Sequence, residues 1–236
     1  MKAIILAAGA GTRLAPLTEA RPKCLVEVNG RSLIDYQLEA LALAGAEEVV
    51  LVLGYEAQQV RAHCGKSARY IDNPDYLTTN SIYSLYLAAA ELDADTFLFN
   101  CDILFHPEVL QRLLAHPNAV AVDGRVERVA GEMNVASDRE GRVLAISKQL
   151  APEQSQAQSA QLVKFDRQGA LEVGQEVRRL VQQQRRDVFP TSAYGPLITR
   201  QELWAVEVGD LPWGEIDSLE DYERVSRQVL PRLRGA

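Results

Sequence analysis

Cysteine is scarce in this chain of 236 residues: Cys24, Cys64 and Cys101 make an odd set of three, with no Cys-x-x-Cys pair and no zinc-type Cys/His spacing. That pattern excludes a disulfide scaffold and predicts reduced thiols, as in a cytosolic protein. A basic surplus is also missing. Lys and Arg number 25 against 32 Asp and Glu, a net charge of −7, and no basic stripe runs along the chain, so a nucleic-acid partner is not expected. No stretch approaches the ~18 consecutive apolar residues of a membrane span. The apolar run at residues 3–8 is too short for a secretory core and passes straight into Gly9–Arg13 without a cleavage region, so the cytoplasm is the expected location. His63, His106 and His116 stand apart from acids and cysteines at ligand spacing, and no repeat of 20–50 residues is present.

What is there reads as one α/β domain. The composition, 47% hydrophobic and 24% charged, is that of a globular protein with ample core. Ala3–Ala8, Val49–Leu53 and Thr96–Asn100 are short continuous apolar runs, the pattern of strands buried on both faces. Between them lie helical patterns. One begins at Ser32 and Asp35 with a capping-box-like start, carries Ile34, Leu38 and Leu41 inward and stops at Gly45. Another places Ile82, Leu85, Tyr86 and Ala89 on one face, and a third starts at Pro107. Strand and helix thus alternate over the first ~115 residues at βαβ spacing, which predicts a parallel sheet covered by helices. The second half offers short strands near 119–122, 132–136, 143–147, 162–166 and 205–208, with helices near 171–185 and 218–230. It reads as an extension of the same domain, with Pro152–Gln161 as either a surface loop or a lid. The expected architecture is a single Rossmann-like three-layer domain over residues 1–236, with a central mixed, mostly parallel sheet. Residues 1–115 would form a nucleotide-binding half and 116–236 an acceptor-binding half.

After the first strand comes Leu6-Ala-Ala8-Gly9-Ala-Gly11-Thr12-Arg13-Leu14. Small residues let a backbone pass close to a phosphate chain, and its N–H groups form an anion cradle. Arg13 can pair with phosphate through two parallel hydrogen bonds. The loop is not a Walker A motif, which ends in Gly-Lys-Ser/Thr, nor a dinucleotide fingerprint, whose third glycine is replaced by Leu14. Pro16-Leu-Thr18 and Arg21-Pro22-Lys23 follow, and Pro22 fixes the backbone before a lysine able to return to the same phosphates. Together, Lys2–Lys23 closely resembles the signature of nucleotide-sugar pyrophosphorylase-type nucleotidyltransferases. The resemblance implies that Leu6, Ala8, Gly9, Gly11 and Thr12 hold base and triphosphate, and that Arg13 and Lys23 hold phosphates.

Triphosphate chemistry needs a divalent cation, and Mg²⁺ is held by one or two carboxylates with phosphate and water. Asp102 follows the strand Thr96–Asn100, at the edge where α/β sheets bind ligands; it either starts a turn or anchors the metal. Asp217 lies just before the last helix, as an N-cap, a metal ligand or both. The resemblance implies that these two acids hold Mg²⁺ together.

Asn80 and Ser81 could read a base edge or simply cap the following helix. Asn80-Ser-Ile-Tyr-Ser-Leu-Tyr86, with Glu215-Ile-Asp-Ser-Leu-Glu-Asp-Tyr222, narrows the likeness: the chain is similar to bacterial phosphocholine cytidylyltransferases, which join CTP to phosphocholine. Cytidylyltransferases for aminoethylphosphonate and inositol phosphate are neighbours of these. A quaternary ammonium would seek aromatic faces and a carboxylate, for which Tyr83, Tyr194, Trp213 and Glu215 are the candidates. Lys148 is the candidate for the acceptor phosphate, because Glu132-Met-Asn-Val135 lacks a lysine that some relatives carry. The function expected is Mg²⁺-dependent nucleotidyl transfer from CTP to a small phosphate ester such as phosphocholine, releasing pyrophosphate. A sugar-1-phosphate nucleotidyltransferase using UTP, dTTP or GTP, and a non-catalytic nucleotide-binding module, stand as alternatives. A homo-oligomer is allowed for; a membrane partner is not expected.

Overall fold

A computed structural model describes residues 1–234. Its centre is β1 (Lys2–Ala7), which pairs in parallel with residues 48–53 on one side and residues 96–100 on the other. After β1 the chain makes the glycine loop, a small hairpin of β2 (Glu27–Val28) and β3 (Arg31–Ser32), and then α1 (Leu33–Leu43). Ser32 caps α1, its hydroxyl accepting from the Asp35 N–H. β4 (Glu48–Leu53), α2 (Ala57–Cys64) and β5 (Arg69–Asp72) continue outward in the same parallel sense. The chain then returns through α3 (Ser81–Leu87) to lay β6 (Thr96–Asn100) on the opposite flank of β1. That reversal creates a crevice at the carboxyl ends of β1 and β6, the place where open α/β sheets take ligands.

A short β7 (Ile103–Phe105) and α4 (Glu108–Leu113) lead into the second half: β8 (Ala119–Asp123), β9 (Asn134–Ser137), β10 (Val143–Ser147) and β11 (Ala157–Phe165). α5 (Arg167–Gln182), α6 (Gly195–Thr199), β12 (Trp204–Glu207) and β13 (Trp213–Glu215) follow, and the described residues close with α7 (Leu219–Arg224), one π-helical stretch and α8 (Leu230–Arg234). The main sheet runs β10-β9-β11-β6-β1-β4-β5, with β8 branching from β11 and β12 pairing parallel to β8. β11 is antiparallel to β6, β8 and β9, so the sheet is mixed, and it is parallel through its N-terminal half.

The three layers follow from alternation along the strands. In β1, Ala3, Ile5 and Ala7 face a core shared with Ile34, Leu41 and Val60. Ile4 and Leu6 face a second core with Leu85, Phe165 and Val177. A third apolar cluster joins the glycine loop to the C-terminal helix: Leu14, Val26, Leu104, Ile216 and Val229 pack together and fix how residues 214–218 approach the head of the chain. No helix of the described residues is long and apolar enough to cross a membrane.

Two expectations are corrected. Pro152–Gln161 is no lid: residues 152–154 form one 3-10 turn, and from Ala157 onward the segment is strand β11, bonded to β9 and β8. Its Gln, Ser and Ala content resembles a linker, but pairing on both sides overrides that weak local preference. The cap of α7 is Ser218 in a reciprocal box with Asp221, not Asp217, which leaves the Asp217 carboxylate for other contacts. Helix α2 and the β7–β13 pair were not anticipated.

Candidate active site

At the carboxyl ends of β1 and β6 lies a cleft of about 380 Å³. One wall is the glycine loop. Gly11 takes a left-handed conformation, φ +61°, where its carbonyl accepts from Leu14 N–H at 3.0 Å and Thr18 Oγ1 at 2.8 Å. A Cβ on Gly11 would lie 3.2 Å from Lys23 Cβ, so the glycine also makes room for the lysine stem. Beside it the Cys101 N–H donates to the Leu6 carbonyl at 3.1 Å, tying the end of β6 to the end of β1.

The carboxylates arrive from far apart in sequence. β7 pairs antiparallel with β13, Ile103 opposite Glu215, and the Ile216 N–H donates to the Asp102 carbonyl at 2.9 Å. This pairing sets Asp102, Glu215 and Asp217 side by side, one oxygen from each lying within 4.8 Å of the others. Lys23 enters the group from the opposite wall. Its ammonium donates to Asp102 Oδ2 at 2.8 Å and to Asp217 Oδ1, while Arg13 Nη2 donates to Asp217 Oδ2 at 2.6 Å.

Electrostatics follow the geometry. Burial alone would lower the Lys23 pKa, but Asp102 and Asp217 more than reverse it, and the ammonium stays charged. Burial works against the Asp217 carboxylate, yet Lys23 and then Arg13 hold its pKa below the ordinary value. Glu215 has no such cation within bonding reach. Burial first, then the charges of Asp102 and Asp217, push it up to about 8. Its Oε2 instead accepts from Gln161 Nε2 at 2.6 Å, and Gln161 Oε1 accepts from Asn100 Nδ2 at 3.0 Å.

The oxygen-only donor set suits a hard divalent cation such as Mg²⁺. Asp102 Oδ1 is buried without a hydrogen-bond partner, a position a cation would satisfy. Asp102 and Asp217 could hold the ion directly with Glu215 beside them.

Most residues singled out from sequence meet here. Leu6, Ala8, Gly9, Gly11, Thr12 and Arg13 line the cleft, with Lys23, Asp102 and Asp217. Asn80 and Ser81 lie on the facing rim, where Asn80 also caps α3 by accepting from the Ser81 N–H. Lys148 reaches the wall with its ammonium 5.3 Å from the Phe189 ring centroid. Three acceptor candidates stand differently. Trp213 borders no part of the cleft, and its indole N–H donates to Asp123 Oδ2 at 2.8 Å. Tyr83 is turned away to stack on Tyr86 at 5.6 Å and to carry the Arg186 guanidinium. Tyr194 is buried edge-on to Phe165 and borders only a small side chamber. Glu215, expected near the acceptor, belongs to the carboxylate group.

Sequence reading missed Asn73, Tyr76, Gln161 and Phe189, all on the wall. Gln161 carries one sign of its role: it holds φ +60° where β11 shifts register, a strained conformation for a residue other than glycine. A side chamber of about 40 Å³ opens past Gln161 and Phe189, floored by Met133, Ile146 and Tyr194.

Comparison with known proteins agrees with this geometry. A family model described as a MobA-like NTP transferase domain matches residues 3–186, and the chain belongs to that family. It is 46% identical over 106 residues to a choline-phosphate cytidylyltransferase of Streptococcus pneumoniae, covering 42% of this chain and 46% of that protein. It is 43% identical over 127 residues to a CMP-5'-(3-aminopropyl)phosphonate synthase of Streptomyces rubellomurinus, covering 52% of this chain and 20% of that protein. The chain spans about half or less of the length of such curated relatives. Among solved structures, the CTP:phosphocholine cytidylyltransferase of Streptococcus pneumoniae superposes with a TM-score of 0.78 at 26% identity, over 95% of this chain and 97% of that one.

Proposed function

We propose that this member of the MobA-like NTP transferase family transfers a cytidylyl group from CTP to a phosphate oxygen of a small phosphate ester, with release of pyrophosphate. The observation that carries the reading is the meeting of Lys23 with Asp102 and Asp217 at the mouth of the glycine loop. The cytidylyltransferase names of the similar proteins support CTP over other nucleotides. Residues 1–115 would contribute most of the nucleotide side, and 116–236 the acceptor side with Asp217.

In this reaction an acceptor oxygen forms a bond to the α-phosphorus as the bond to the β-phosphate bridge breaks, and pyrophosphate leaves. A phosphate monoester loses its second proton near pH ~6, so at neutral pH the nucleophile needs no general base. The cleft wall accordingly carries no histidine among the described residues. The obstacle is repulsion between two anions, and positioning with charge neutralisation must overcome it. The loop N–H groups would cradle the triphosphate. Lys23, held charged by its two carboxylates, would stay protonated while facing the phosphates. Arg13, 74% exposed at its side chain, can swing from Asp217 to the outer phosphates, and Lys148 would meet the acceptor phosphate. Asp102 and Asp217 would hold Mg²⁺, whose chemistry is to gather phosphate charge and orient the α-phosphorus. Glu215, fixed by Gln161, would complete the acidic wall.

The experiment is a matrix of CTP, UTP, dTTP and GTP against phosphate esters, read as pyrophosphate release. Turnover restricted to CTP with small esters is the expected result. Turnover restricted to hexose 1-phosphates would select the sugar-nucleotide alternative, and CTP binding without product from any acceptor would select the non-catalytic one.

A further inference from the structure

The turn between β4 and α2 borders no part of the cleft, yet it grips the glycine loop at both ends. Where the loop begins, the Tyr55 backbone N–H donates to the Ala8 carbonyl at 3.0 Å. On the loop's far side, the Tyr55 hydroxyl donates to the Glu19 carbonyl at 2.7 Å. Gln59, in the first turn of α2, adds a second hold there: its Nε2 donates to the Ala20 carbonyl at 2.9 Å and to Glu56 Oε2 at 3.0 Å. Both hydrogens of that amide are thereby engaged, which fixes its direction.

The backbone is shaped for this approach. A Cβ on Gly54 would lie 2.6 Å from the Ala8 carbonyl oxygen and 2.7 Å from the Tyr76 ring, so only glycine lets the end of β4 come so close. Glu56 then takes a left-handed conformation, φ +50°, which is costly for a residue with a side chain. Core packing does not account for Tyr55: it is half-buried and belongs to none of the three apolar clusters among the described residues. What it holds is exposed. Residues 15–17 and 19–21 face solvent between the buried Leu14, Thr18 and Pro22, on the path from Arg13 to Lys23. The backbone bonds of this stretch are local ones, such as Leu17 N–H to Leu14 and Glu19 N–H to Pro16. A segment with exposed, local bonds opens easily unless the rest of the fold holds it.

We propose that Tyr55, backed by Gln59, is a positioning residue for the nucleotide: it clamps the glycine loop at both ends, so that the loop N–H groups and Lys23 are set before CTP arrives. This rests on the nucleotidyl-transfer reading above and assigns part of the nucleotide affinity to a turn outside the cleft. The bond sets the size of the effect. One neutral hydrogen bond shifts an equilibrium by a factor of roughly two to ten. Where the binding-competent form of the loop is less populated, apparent affinity falls by the same fraction. Setting the loop in advance removes an ordering cost that CTP binding would otherwise carry.

Tyr55→Phe removes the hydroxyl and keeps the ring, and Gln59→Met removes the amide and keeps the stem. CTP with Mg²⁺ is titrated by calorimetry into the wild type, each variant and the double variant. Urea midpoints and amide hydrogen exchange are measured beside it. In Tyr55→Phe the Kd for CTP should rise about three- to tenfold, and further in the double variant. The urea midpoint should stay at the wild-type value, while exchange quickens within residues 15–21 and slows again once CTP saturates the site. A wild-type Kd in Tyr55→Phe overturns the clamp. So does a weaker Kd that comes with a lower urea midpoint and faster exchange across the sheet, since Tyr55 would then serve the fold at large. The wild-type titration separates the two failures: CTP binding there leaves the nucleotide reading standing when the clamp falls, and no binding removes both.

Discussion

Replacing Lys23 by methionine removes the charge that joins the two halves of the site while keeping most of the stem volume. At 2.8 Å and an effective dielectric of about 20, the Lys23–Asp102 attraction is on the order of 6 kcal/mol before desolvation is set against it. Breaking a buried pair by deleting one partner costs about 3–5 kcal/mol in practice, because the remaining charge is stranded. Asp217 keeps Arg13, whereas Asp102 loses its only side-chain partner among the described residues, with its Oδ1 already unpartnered. The lower end, about 3 kcal/mol, is therefore expected in metal-free buffer, a fall in Tm of roughly 6–12 °C for a chain of this size. Mg²⁺ should restore more stability to Lys23→Met than to the wild type, since the variant exposes its carboxylates to the ion. Turnover should still drop by about 10²–10³, the scale for losing one preorganised phosphate contact. Urea melts with and without Mg²⁺, beside a pyrophosphate-release assay, read both effects. A variant as stable as the parent, indifferent to Mg²⁺ and near-normal in rate would refute the reasoning.

Gly11→Ala forces a side chain into φ +61° and against Lys23, so it should cost about 1–2 kcal/mol and weaken CTP binding; unchanged calorimetric affinity would speak against the loop's role. Phe165→Ala empties a fully buried position beside Tyr194 and should cost about 3–5 kcal/mol in a chemical melt. Away from the site, Arg69 first and then Lys2 hold the Glu91 carboxyl below its ordinary value of 4.5. A depressed carboxylate contributes stability above the unfolded value and loses it as pH falls through the folded one. Thermal melts between pH 3 and 7 should therefore show a shallower acid-side loss for Glu91→Gln than for the wild type, and parallel curves would contradict the assignment.

What could be read from sequence was what is encoded locally. The glycine loop, Arg13 and Lys23 lie within one short segment, and Asp102 ends a continuous apolar run, so position along the chain implied position in the fold. The long strands of the parallel half were equally legible, because burial on both faces leaves an unmistakable apolar run. The β7–β13 pair was not: each strand has three residues, and their meeting depends on the cluster of Leu14, Leu104 and Ile216. Without that pair, Glu215 could not be placed beside Asp102. Gln161 was hidden for another reason. Its polar surroundings mimic a linker, and only sheet pairing shows that it points into the cleft. Two aromatic candidates lie off the cleft wall, because composition cannot say which face of a ring is free. Trp213 is committed to Asp123, and Tyr83 to Tyr86 and Arg186.

The central claim is that acids from distant segments and cations at the head of the chain serve one metal-bound triphosphate. Calorimetric titration of CTP into the wild type and into Asp102→Asn, each with and without Mg²⁺, tests it most directly. Affinity for CTP should rise with Mg²⁺ in the wild type, and that rise should vanish in Asp102→Asn. The same Mg²⁺ response in both proteins, or none in the wild type, would contradict the account.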